Sequence, residues 1–85
     1  MASYRIVFKE SVAKDLRQIP EKDIQRILKR IDSLQEDPRP AGVEKLSSDE
    51  KYRIRQGKYR ILYMVEDETI TVVIVKVGHR RDVYR

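Results

Sequence analysis

Residues 51–66 read Lys51-Tyr52-Arg53-Ile54-Arg55-Gln56-Gly57-Lys58-Tyr59-Arg60-Ile61-Leu62-Tyr63-Met64-Val65-Glu66. Two strand-like runs, 51–55 and 58–66, flank Gln56-Gly57, so the stretch reads as a β-hairpin with a two-residue loop. That register sets Arg55 opposite Lys58 and Arg53 opposite Arg60. Alternation sends Tyr52, Ile54, Tyr59, Ile61, Tyr63 and Val65 to one face, and Lys51, Arg53, Arg55, Lys58 and Arg60 to the other. Like charges opposite one another destabilise a sheet by up to about 1 kcal/mol per pair. The hairpin places no acid on its basic face, so stability alone does not select this pattern.

Working outward, Ile70–Val77 forms a third strand after the polar segment Glu66-Asp67-Glu68-Thr69. Upstream, Asp37-Pro38-Arg39-Pro40-Ala41-Gly42 breaks regular structure. Before it, Ile24, Ile27, Leu28, Ile31 and Leu34 make the apolar stripe of a helix that opens near Pro20. Val12, Leu16 and Ile19 mark a shorter helix starting at Ser11, and Tyr4–Phe8 reads as a first strand. The expected fold is one α+β domain over residues 1–85. It has an N-terminal strand, a two-helix hairpin and a three-stranded antiparallel meander, with the helices packed on one face of the sheet.

Eighty-five residues leave room for one modest core. No run approaches the roughly 20 apolar residues of a membrane span and none resembles a signal peptide, so the expected location is the cytoplasm. Without cysteine there is no disulfide framework, thiolate nucleophile or Cys-based zinc site, and the single His79 makes a His-rich metal site implausible. No cofactor is expected. The net charge of +5 is unevenly placed: residues 1–50 carry equal numbers of basic and acidic side chains, and the excess lies in 51–85. A one-sided basic field suits a polyanion such as nucleic acid.

Arginine, planar and forked, fits phosphate oxygens better than a lysine ammonium does. Edge-strand Lys and Arg that merely discourage aggregation would account for the sign of the charge, not for this preference. Arg26, Lys29 and Arg30 on the second helix are interleaved with acids and read as a solvated face. Leu62, Met64, Val73, Val75 and Val77 fall on the basic side of the sheet and need a cover from this chain or a partner. The tail 78–85 leaves the last strand beside that face, bringing Tyr84, a candidate base-stacking ring, and His79, a candidate acid or base.

Three segments in order, Pro38–Leu46, Tyr52–Tyr63 and Val77–Tyr84, give the chain a resemblance to the RelE family of the RelE/ParE toxin superfamily over essentially its whole length. The resemblance implies a toxin of a type II toxin–antitoxin module. It would enter the ribosomal A site, cut the mRNA there without metal, inhibit translation and be neutralised by a cognate antitoxin. It assigns Arg53, Arg55, Arg60, Arg80 and Tyr84 to the catalytic set; His79 joins that set as a candidate acid or base, and Lys51, Lys58, Arg81 and Lys45 are expected to bind RNA. Well-studied RelE toxins carry lysines at the positions of Arg53 and Arg55, and arginine is a very poor base. His79, Glu50, Lys51 and water are therefore left as candidates for proton transfer. The alternatives are a ParE-like toxin that poisons DNA gyrase without cutting RNA, and a catalytically weak RNA- or antitoxin-binding module.

Overall fold

The computed structural model describes residues 3–46 and 50–79. Their elements are β1 (Arg5–Phe8), α1 (Glu10–Arg17), α2 (Glu21–Ser33), β2 (Glu44–Lys45), β3 (Lys51–Gln56), β4 (Tyr59–Glu66) and β5 (Thr71–His79). The five strands form one sheet in the order β1-β5-β4-β3-β2. β1 runs parallel to β5, and the other neighbours are antiparallel. The expected meander is present, widened by β1 at one edge and by the two-residue β2 at the other.

Both helices cover the same sheet face. From α2 and its C-cap, Ile27, Ile31 and Leu34 are 0–1% exposed and meet Tyr52, Ile54, Ile61, Tyr63, Val72 and Ile74 in one core. Truncating Ile27 or Ile31 to alanine there costs about 2–5 kcal/mol. Leu28, read as part of the stripe, is 36% exposed and lies at its margin. Pro20 is the N-cap of α2, its carbonyl accepting from the backbone of Asp23 and Ile24 at 2.9 and 3.0 Å. None of the described helices is long and apolar enough to cross a membrane.

The hairpin differs from the sequence reading by one loop position. Gln56 pairs with Tyr59, so the loop is Gly57-Lys58, and Arg55 stands opposite Arg60 rather than Lys58. Gly57 explains this. It takes φ +60° at the first loop position, as a type II′ turn requires, whereas a Gln56-Gly57 loop of type I′ would force Gln56 into positive φ. Moving the turn by one residue shifts every cross-strand partner by two, so the face assignment survives. Tyr52, Ile54, Ile61, Tyr63 and Val65 are buried toward the helices.

A bulge overturns part of the reading of β5. Leu62 pairs with Lys76 and Tyr63 with Ile74, which leaves Val75 as an extra residue. Alternation therefore reverses beyond it. Val77, expected on the basic side, is opposite Ile61 and 1% exposed in the core. Its N–H donates to Asp15 Oδ2 of α1 at 3.0 Å, so a helix side chain satisfies a group at the irregularity.

Candidate nucleic-acid interface

Opposite the helices, β3 and β4 bring Arg53, Arg55 and Arg60 onto one face. Arg55 and Arg60 are directly opposed near the hairpin tip, and Arg53 stands one same-face step back, opposite Leu62. The three differ in exposure. Arg55 is exposed, the Arg53 side chain is 14% exposed, and Arg60 is 2% exposed. The cluster is layered, with Arg55 the outermost guanidinium.

β2 adds a carboxylate that the hairpin alone lacks. Glu44 is the register partner of Arg53 on the far side of β3, and Arg53 Nη2 donates to its Oε2 at 2.9 Å. The hydrogen bond and charge of Arg53 hold the Glu44 carboxyl below its ordinary range, with Arg60 and Arg55 adding to the effect. Glu44 stays half exposed, at 53%. No sequence signal marked it, because a two-residue strand is too short to show a period of two.

The other candidates fall elsewhere. Lys51 shares the arginine face, opposite Met64. Lys58 is an exposed loop residue rather than a member of that face. Lys45 pairs with Tyr52, and its Nζ lies 3.3 Å from Glu50 Oε1. His79 is turned to the helix side by the bulge: it is paired with Tyr59, their rings meet edge-on at 6.1 Å, and the Tyr59 hydroxyl donates to Asp23 of α2 at 3.3 Å. The expectation that His79 stands beside the arginines therefore fails. Arg80, Arg81 and Tyr84 lie outside the described residues.

Glu50, the other proton-transfer candidate, belongs to a separate network at the opposite end of β3. Arg39 Nη2 contacts Glu50 Oε2 at 2.9 Å and Asp67 Oδ2 at 2.8 Å, and Arg39 Nε donates to the Tyr52 hydroxyl at 2.8 Å. Tyr52 donates in turn to Glu50, and Tyr4 to Asp67 at 2.6 Å. Tyr52 and Arg39 hold Glu50 down to about 2, and Arg39 and Tyr4 lower Asp67. The two prolines around Arg39 thus present a clamp that ties the 38–42 segment to the start of β3 and the β4–β5 turn.

Chemically, the tip cluster can gather phosphate oxygens on Arg55 and Arg53, with Arg60 beneath. Arginine cannot take a proton at neutral pH, whereas the ionised Glu44 among them can. Residues 6–84 match the family described as ParE toxin of type II toxin-antitoxin system, parDE. The toxin RelG of Mycobacterium tuberculosis (strain ATCC 25618 / H37Rv) is 31% identical over 84 residues, covering 96% of this chain and 97% of that protein. The isolated E. coli RelE toxin superposes with a TM-score of 0.81 at 27% identity, over 96% of this chain and 92% of that one. The archaeal RelE–RelB complex from Pyrococcus horikoshii OT3 gives 0.80 at 28% identity, over 92% and 96%.

Proposed function

The chain belongs to the RelE/ParE toxin family of type II toxin–antitoxin systems, and from that premise we propose that it is a ribosome-dependent endoribonuclease that cuts mRNA in the A site and is restrained by a cognate antitoxin. The observation that carries this reading is the convergence of Arg53, Arg55 and Arg60 on one sheet face with Glu44 among them. The partner follows from relatives solved as RelE–RelB complexes.

The reaction is transesterification by the RNA itself. The 2′-OH oxygen attacks the adjacent phosphorus in line, and the P–O5′ bond breaks. The products carry a 2′,3′-cyclic phosphate and a 5′-OH. Arg55 and Arg53 neutralise the non-bridging oxygens as charge grows on them, and the buried Arg60 beneath them reinforces the positive field. Arg80 adds a second contact to the reacting phosphate and Tyr84 stacks the splayed base. Glu44 takes the 2′-OH proton, and water protonates the departing 5′ oxygen. Glu44 is preferred because His79 lies on the other face and Glu50 is held at the far end of β3. Binding of a phosphate competes with the Arg53–Glu44 pair and so frees the carboxylate as substrate arrives.

Primer extension on mRNA carried by programmed ribosomes, incubated with the purified chain, tests the reading. Codon-dependent cuts ending in 2′,3′-cyclic phosphate are expected, and they slow about 10²-fold with Arg55→Ala. Gyrase-dependent DNA breaks without RNA cuts would move the chain to the gyrase-poisoning branch, and neither activity would make it a binding module.

A further inference from the structure

The arginine face changes character along its strands. Arg55 and Arg60 stand at the tip, Arg53 and Leu62 one same-face step back, and Lys51 and Met64 one step further. Each step is about 7 Å along a strand, comparable to one nucleotide of an extended single strand. Behind the arginines, Leu46, Leu62, Met64 and the bulge residue Val75 line a cleft of about 220 Å³, whose lining also includes Lys9, Lys51 and the buried Tyr52 and Tyr63. Leu62, Met64 and Val75 are half-buried, Leu46 is 43% exposed, and both lysines are exposed.

Packing does not require this cleft, since the core is on the other face of the sheet. A purely apolar occupant would also cover two ammonium groups without pairing them, which is costly. A nucleotide meets both demands: its base has flat apolar faces, and phosphates lie on either side of it. The volume is below the roughly 300–1,000 Å³ of drug-sized ligand sites and suits a single ring system. Met64 adds a polarisable thioether, which makes favourable contacts with aromatic rings.

We infer that this cleft binds one base of the RNA strand, next along from the phosphate gripped by Arg55 at the hairpin tip, with Lys51 and Lys9 on the phosphates flanking that base. The inference rests on the nuclease reading above and adds a base-binding subsite to it.

The test is single-turnover cleavage of ribosome-bound mRNAs that each carry one abasic nucleotide, scanned across the codon and its neighbours. With the wild-type chain, one abasic position away from the cut raises the half-saturating toxin concentration roughly tenfold. Met64→Gln weakens the intact message by a similar factor and removes the extra penalty of that abasic position. Val75→Ser does the same, and thermal melts of both variants exclude unfolding as the cause. A flat abasic scan with normal cutting of intact mRNA overturns the subsite and leaves the nuclease reading standing. So do variants that weaken every message equally, or that weaken only antitoxin binding. Failure to cut intact mRNA overturns both.

Discussion

Two arginine clusters occupy opposite ends of β3, and their charge balance differs. At the start of the strand one guanidinium, Arg39, meets two carboxylates, Glu50 and Asp67, and the Tyr52 hydroxyl. At its end three guanidiniums, Arg53, Arg55 and Arg60, stand near one described carboxylate, Glu44. The stretches outside the described residues carry Arg80, Arg81 and Arg85 against Asp49 and Asp82, so the balance of charge there is also positive. A cluster closed on its own acids ties loops together. One with excess positive charge is suited to an outside anion, and residue type alone does not distinguish the two.

The largest effect should come from Glu44. If it accepts the 2′-OH proton, Glu44→Gln lowers the single-turnover rate by about 10²–10⁴-fold and flattens the acid limb of the pH–rate profile. If Glu44 is only a counter-ion to Arg53, the same change tightens RNA binding and leaves the rate near wild type, and the two clusters would then differ in charge but not in chemistry. Next comes Arg55→Ala, expected to cost about 10²-fold in rate. Because Arg55 is exposed, its melting temperature should stay close to wild type.

Arg39→Gln should do the reverse, lowering stability by about 2 kcal/mol, or roughly 10 °C in Tm, while the folded protein still cuts in the cold. The pH dependence sharpens this. Glu50 is held down to about 2 and Asp67 is also lowered, so their stabilisation is complete above the ordinary carboxylate range and is lost as pH falls toward 2. Urea melts across that range should show a steep acid loss in the wild type and a shallower one in Arg39→Gln. Equal slopes would mean that Arg39 does not hold these acids in solution.

Much of this contrast was legible beforehand, for reasons that also mark where legibility stopped. Period-two alternation placed Arg53, Arg55 and Arg60 on one face, and that survived an incorrect loop assignment because the displaced turn preserved parity. It failed for Val77 and His79 because one bulged residue, Val75, reverses the faces, and no local composition announces an insertion that a helix side chain, Asp15, helps to satisfy. Glu44 and the Arg39 clamp escaped for another reason. Both depend on pairings between residues distant in the chain, such as Arg39 with Asp67, while the Pro38-Arg39-Pro40 segment by itself reads only as a break in the helix.

The smallest predicted effect isolates strain at the structural end. Ile70 closes the turn that carries Asp67 to Arg39, and it sits at φ 51°, a region that a β-branched side chain rarely adopts. Its N–H donates to the Asp67 carbonyl at 3.2 Å, and its own carbonyl accepts from Arg5 at 2.9 Å, so the backbone is pinned from both sides. Removing the side chain confounds strain with lost burial, but comparing two truncations does not. Ile70→Ala keeps a Cβ in the left-handed region, whereas Ile70→Gly does not. The glycine variant should therefore be more stable than the alanine variant by about 1 kcal/mol, the reverse of their order at an ordinary position. Neither should alter cleavage in the cold, since the turn lies at the far end of the sheet from Arg55. An alanine variant at least as stable as the glycine one would show that this turn relaxes out of positive φ in solution, and that the clamp on Asp67 does not depend on it.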